Sequence, residues 1–293
     1  MKQAVIAALA TVLSVGSAAS SPPPTATAEW VAGFAQPTPR ARLDHLTAML
    51  ADLGLEHEVR PFTLKRAAGE GHNVIITLGE GDRDILLTAH YDARRLKDGR
   101  LADGVVDNAA SVVALARAAV LLRGGLQNHR LRIIFFDQEE LGLLGAKAYA
   151  ASDDGRRAAA IFNFDINAYG DTPYYALPGD AENALLKGVI EDGCRAANAP
   201  CRPFEVYPSS DHRAFWLRHI PATSFSYLPR AEVEALDAFM RRGRGGWLNP
   251  LPVPAVLRLI HSPNDRITAV DPATVDRTTR LAVAMARAAD ARR

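Results

Sequence analysis

The sequence predicts an α/β protein, a three-layer sandwich in which a mixed, mostly parallel β-sheet carries helices on both faces. Three observations lead there. Short, continuously apolar runs, such as residues 85–89 and 131–136, read as strands covered on both sides. They alternate along the chain with longer stretches of helical periodicity. Acidic and imidazole side chains then recur just past the apolar runs, at the strand ends where such sheets build their sites. The 293 residues are enough for one large domain of this kind. With 48% hydrophobic and 23% charged residues, the composition is that of a soluble globular protein. A formal net charge of +1 gives no reason to expect nucleic acid or an anionic membrane as a partner.

The N-terminus reads separately. Lys2 precedes an apolar stretch over residues 4–15 and then Gly16-Ser17-Ala18-Ala19-Ser20. A basic start, an apolar core too short to span a bilayer and a small-residue cleavage site are the layout of a secretory signal. The expectation is a signal peptide over 1–20, a secreted or periplasmic destination, and no stable membrane insertion after cleavage. No cysteine stands near the cleavage region to carry a lipid anchor. Residues 21–37 are expected as a stiff or disordered Pro-rich lead-in, and 38–293 as a single domain.

Within that domain, Leu43, Leu46, Met49, Leu50 and Leu53 recur at helical spacing over 38–53, and Gly54 closes the helix. Residues 74–78 and 85–89 are strands joined by the Gly79-Glu80-Gly81-Asp82 turn. An alanine- and valine-rich helix follows over 107–122, with Asp107 at its start, where a carboxylate suits the helix dipole. Residues 131–136 form the most apolar strand and 160–164 another, with a helix over 141–151 between them. Helices are expected over 181–197 and 271–288, and short strands over 204–207 and 222–226 around the Ser210-Asp211-His212 turn. Cys194 and Cys201, with six residues between them, would pair as a disulfide in an oxidising compartment. No histidine or third cysteine accompanies them to make a zinc site. The basic loop over 241–246 is short and isolated, and reads as surface rather than as a nucleic-acid contact.

Five stretches carry the chemistry: His90-Tyr91-Asp92, Asp107-Asn108, Glu139-Glu140, Asp165, and His261 with Asp265. Any one alone is unremarkable, since an aspartate at a helix start is ordinarily a cap. Together they are a ligand set for zinc, which takes imidazole nitrogens and carboxylate oxygens. Two such ions need a bridging carboxylate. Asp107 is the candidate bridge, because it alone in the set opens an expected helix. His90 and Asp165 would cap one ion, Glu140 and His261 the other; spacing alone leaves one ion or two open. Glu139, beside a ligand and pointing elsewhere, is free to act as a general base. Asp92 and Asp265 are expected to accept the second ring N–H of His90 and His261. His45, His57, His72, His129 and His219 receive no role. Tyr169, Tyr174, Phe225, Tyr227 and Trp247 are candidates to line a side-chain pocket.

These stretches, with Gly104-Val105-Val106-Asp107-Asn108-Ala109-Ala110-Ser111, Glu139-Glu140-Leu141-Gly142-Leu143-Leu144-Gly145, Asn163-Phe164-Asp165, Ser210-Asp211-His212 and Ile260-His261-Ser262-Pro263-Asn264-Asp265, resemble the motif series of the M28 zinc exopeptidases over roughly residues 70–270. The resemblance implies the phosphorylase/hydrolase-like fold of those enzymes and an aminopeptidase with a zinc pair, acting on peptides with a free N-terminus. It also implies Asp211 as a supporting residue near the site. Val106 and Ser111 depart from the family pattern without removing a ligand. The related glutaminyl cyclases, which act with one zinc, share His90-Tyr91-Asp92 and the Glu139-Glu140 pair. They typically carry a tryptophan where this chain has Ile260, and an insertion after the glutamate pair that is absent here. The peptidase is therefore the expected function and the cyclase the alternative; a non-catalytic zinc-binding module is the third reading.

Overall fold

The computed structural model describes residues 24–64, 69–177, 184–242 and 252–292. Eight strands form one sheet: β1 (Glu58–Phe62), β2 (Gly71–Leu78), β3 (Asp84–His90), β4 (Arg130–Phe136), β5 (Ala158–Phe164), β6 (Thr172–Ala176), β7 (Arg202–Phe204) and β8 (Ala222–Leu228). Their spatial order is β1-β2-β4-β3-β5-β8-β6-β7. The central strands β4, β3, β5 and β8 are mutually parallel. Antiparallel pairings attach β1 and β2 on one side and β6 on the other.

Around the sheet lie α1 (Pro24–Ala32), α2 (Pro39–Asp52), α3 (Ala110–Leu121), α4 (Leu144–Ala151), α5 (Asp153–Arg156), α6 (Ala184–Ala196), α7 (His212–Trp216), α8 (Arg230–Arg242), α9 (Ala255–Leu259) and α10 (Pro272–Asp290). The apolar run of β3 divides between two faces, as a period of two requires. Ile85, Leu87 and Ala89 join Leu131, Ile133 and Phe135 beneath α3 and α10. Leu86 joins Ile134, Phe136 and Ile161, with Tyr149 of α4 and Phe215 of α7. A strand buried on both faces in this way has no polar alternation to show in its sequence.

Differences from the expected elements have local causes. The lead-in over 21–37 is helical from Pro24 to Ala32, and Val31 and Phe34 are fully buried in the main core. The expected signal segment lies outside the described residues. Thr38 caps α2 by accepting from the Ala41 N–H, and Gly54 follows the helix in the left-handed conformation (φ +63°). The helix expected from Asp107 begins only at Ala110. The N–H groups of residues 105–107 are held by a side chain instead of entering a helix, as described below. β7 stops at Phe204, because its partner β6 ends at Ala176 in register with it. Cys194 and Cys201 are joined as a disulfide. Of the basic loop, Arg241 and Arg242 end α8, and 243–246 lie outside the described residues. Among the described residues no helix is long and apolar enough to cross a membrane.

Arg42 of α2 is fully buried beneath the carboxyl edge of the sheet. Its guanidinium finds no carboxylate partner and donates to four carbonyls: Phe34, Tyr91, Asp103 and Gly104. It thereby ties α2 to both ends of the connection between β3 and α3, and to the turn after α1. Replacing it with methionine keeps much of the volume and orphans those carbonyls. Arg42→Met is expected to lower stability by about 3 kcal/mol, read as a shift in the urea midpoint at unchanged slope. A shift within about 0.5 kcal/mol would mean that water replaces the guanidinium at no cost.

Candidate metal centre

The motif residues converge at the carboxyl ends of the parallel strands. His90 is the last residue of β3, and Asp165 follows the last residue of β5, its N–H bonded to the Phe225 carbonyl at 2.9 Å. Glu139 and Glu140 stand in the loop after β4, which turns through Gln138 (φ +58°) and Leu143 (φ +61°). His261 comes from the segment between α9 and α10 and is itself left-handed (φ +56°).

Asp107 lies at the middle of this group. Its Oδ1 is 3.1 Å from His90 Nε2, and its Oδ2 is 3.0 Å from His261 Nε2. His90 Nε2 is also 3.6 Å from Asp165 Oδ1, and His261 Nε2 is 3.0 Å from Glu140 Oε1. Two triads result, His90-Asp107-Asp165 and Asp107-Glu140-His261, each with its donor atoms within 4.8 Å of one another. They share Asp107, one oxygen to each side.

The donor set fits cations. Asp165 Oδ1 is buried without a hydrogen-bond partner, and Glu140 Oε1 has only the poorly aligned approach of His261 Nε2 at 3.0 Å. Orphaned carboxylate oxygens are costly unless a positive charge meets them. The acids also outnumber the imidazoles, since Asp92, Glu139 and Asp211 crowd the same region, and the pKa values respond. Burial opposes a charged His90, but Asp107, Asp165 and Asp92 outweigh it and hold its pKa well above the ordinary value. Asp107 and then Glu140 push His261 up to about 10. Burial raises Glu140. Burial also raises Glu139 well above the usual carboxylate range; His90 opposes this, while Asp211, Asp165 and Asp92 add to it.

Three polar groups fix the geometry. Asp92 Oδ1 stands 3.3 Å from His90 Nδ1. Its two oxygens also accept the N–H groups of Glu139 (3.0 Å) and Glu140 (3.1 Å), so one carboxylate sets both the histidine and the glutamate pair. Asp265 departs from expectation. It has no bond to His261 and accepts from the N–H groups of Val105 (3.0 Å), Val106 (2.7 Å) and Asp107 (3.2 Å). Three adjacent amides occupy most of the carboxylate's acceptor capacity and turn it toward the 105–107 backbone. Asn108, to which no role was given, spans to β5: its Nδ2 donates to the Phe164 carbonyl (2.8 Å) and its Oδ1 accepts from the Ile166 N–H (3.1 Å), on either side of Asp165. Adjacency to Asp107 was its one signal in the sequence. The turn before Asp107 needs Gly104 (φ +60°), where a Cβ would come within 2.7 Å of Ala93 Cβ.

Asp211 is fully buried at the start of α7 with neither oxygen bonded, and burial pushes its pKa to about 8. It lies close enough to Glu139 for each charge to be felt there. Among the expected pocket aromatics, Tyr174, Phe225 and Tyr227 are buried in the core instead. Tyr169 borders a shallow cleft of about 380 Å³ with Glu232, whose carboxylate accepts its hydroxyl. Trp247 lies outside the described residues. His45 bonds the Trp30 carbonyl and His129 meets Asp290, structural duties that account for both.

Comparison with known proteins agrees with this geometry. The model of Peptidase family M28 matches residues 73–286. A probable leucine aminopeptidase 2 of Aspergillus fumigatus is 30% identical over 167 residues, 52% of this chain and 32% of that protein. The chain therefore spans about a third of the length of such curated relatives. A Zn-dependent exopeptidase from Parabacteroides distasonis has the same fold, with a TM-score of 0.67 at 18% identity, over 92% of this chain and 99% of that one. So does Porphyromonas gingivalis glutaminyl cyclase, with a TM-score of 0.67 at 18% identity, over 90% and 97%.

Two outcomes follow. Asp265→Asn exchanges an acceptor oxygen for a donor against the amides of 105–107 and should loosen Asp107. Zinc affinity is expected to fall about 10–100-fold, measured by competition with a chromophoric chelator. An unchanged affinity would mean that the loop holds Asp107 unaided. His212, packed edge-on against Tyr207 and Trp216, is lowered by burial from 6.5 to about 3. It is neutral when folded and protonates near 6.5 when unfolded. Its contribution is therefore complete above pH 6.5 and lost as pH falls toward 3, at about 1.4 kcal/mol per pH unit. His212→Phe should flatten that part of the stability–pH curve; an unchanged slope would remove His212 from it.

Proposed function

We propose that this chain, which belongs to peptidase family M28, is a zinc-dependent aminopeptidase that removes N-terminal residues from peptides. The observation that carries the reading is Asp107, with one oxygen toward His90 and the other toward His261. That is the arrangement a carboxylate bridging two ions requires.

His90, Asp107 and Asp165 would hold one zinc, and Asp107, Glu140 and His261 the other. Zinc supplies Lewis acidity there, polarising the scissile carbonyl and acidifying water. Glu139 takes a proton from the attacking water as its oxygen bonds to the carbonyl carbon. It then delivers that proton to the amine nitrogen as the C–N bond breaks. Asp92 keeps Glu139 and Glu140 in register for this exchange through their backbone N–H groups. Asp165 and the neighbouring acids give the free α-amino group of the substrate a negative surface to meet. The Lys2 and 4–15 pattern, and a disulfide suited to an oxidising compartment, support export to the periplasm or the medium.

Glu139→Gln is expected to keep its zinc and lose about 10²–10⁴-fold in turnover, with metal content read by elemental analysis and turnover by mass spectrometry of a peptide mixture. Near-normal turnover would take Glu139 out of the mechanism. In the same mixture, stepwise loss of N-terminal residues is the expected result for the wild-type protein. Loss of ammonia confined to peptides beginning with glutamine would make it a cyclase instead.

A further inference from the structure

Arg94 has no part in the chemistry above, yet it touches the centre from outside. Its Nη1 donates to the Glu140 carbonyl at 2.9 Å and stands 3.6 Å from Glu140 Oε2. The other oxygen of that carboxylate is 3.0 Å from His261 Nε2. The guanidinium is thus one carboxylate's width from the metal-facing side. Among the described residues it is the one arginine or lysine within 4.0 Å of a candidate ligand's carboxylate. Its side chain is 49% exposed, so most of its fork of five N–H donors remains open. A cleft of about 650 Å³ begins at this point, with Asp92 and Glu140 in its wall and Arg94, Leu101 and Leu141 along its lining.

We propose that Arg94 anchors the free carboxylate of the leaving residue, so that the enzyme favours dipeptides. This rests on the aminopeptidase reading. In a dipeptide the C-terminal carboxylate lies a single residue beyond the scissile carbonyl, at most about 3.6 Å further along the chain. Arg94 stands 3.6 Å outside Glu140, on the side away from His261, where a group one residue beyond the scissile carbonyl would extend. Arg94 would bind it through paired N–H···O bonds, the geometry a planar guanidinium offers and a neutral amide cannot return. In a longer peptide the same place holds an uncharged peptide group, and the chain continues into the cleft.

The test compares a dipeptide X-Gly with its C-terminal amide, using the zinc-loaded full chain and the residue X that the wild type removes best. The acid should be cleaved with a kcat/KM about tenfold above the amide's. Arg94→Ala should erase that preference mainly through KM of the acid, and Arg94→Lys should restore part of it. Equal use of acid and amide by the wild type overturns the proposal. So does an Arg94→Ala protein that loses zinc or weakens on both substrates alike, because the arginine would then only steady Glu140. Turnover of neither substrate by zinc-loaded wild type would overturn the aminopeptidase reading itself.

Discussion

The centre depends on the placement of one carboxylate. Asp107 must offer an oxygen to each of two groups that reach it from distant parts of the chain. Its own segment surrenders regular helical hydrogen bonding to do so. The N–H groups of 105–107 turn onto Asp265, and Asn108 clasps the end of β5 on both sides of Asp165. Asp265 and His261 are four residues apart, so the segment that brings one imidazole also fixes the carboxylate facing it. The acids therefore divide their work. Asp92 and Asp265 take backbone N–H groups, while Asp107, Glu140 and Asp165 keep lone pairs turned inward.

That division leaves a charge problem which the protein alone does not solve. Arg42 is the fully buried cation beneath the site; burial lowers it to about 10, while Asp92, Asp265 and Asp107 pull the other way. It stays charged at neutral pH but bonds carbonyls, and does not partner the inward carboxylate oxygens. Removing ions from water costs several kcal/mol each unless opposite charge is supplied. Divalent cations at the two triads would supply it, and this is why burial and ligand count favour a metal here over an ordinary ion-pair network.

Much of this could be read from the chain. The central strands are legible because both faces are buried, which makes their apolar runs continuous, and each of the five ligands follows or ends such a run or an identifiable motif. The edges are harder. β1 carries Pro61 and mostly exposed side chains, β6 carries Pro173, and neither has a strand's usual pattern. The start of α3 was misplaced because an aspartate before an alanine-rich run reads as a cap. The contact that rules this out comes from Asp265, 158 residues away. A role set by a backbone N–H leaves no residue type behind to recognise, and for that reason Asp265 was assigned to the wrong partner.

All five ligand candidates, with Asp92, Asp265 and Asn108, lie inside residues 73–286, the span matched to the family. Their side-chain partners described above also lie inside that span, while Arg42, outside it, holds the carbonyls of Tyr91, Asp103 and Gly104 in the connection that carries Asp92 and Asp107. The curated relatives are roughly three times the length this chain covers, whereas the compact bacterial exopeptidase is covered over 99% of its length. The additional length of the relatives is therefore not what assembles the two triads. What it can change is the approach to them. In this chain the cleft beside Glu140 is lined on one side by Arg94 and by Leu141, over half of whose surface is open to solvent, and on the other by α2 residues such as Arg40 and Leu43. Under the proposed function, selectivity among peptides would rest on side chains of this approach, and an exposed guanidinium beside a candidate ligand would weigh on it.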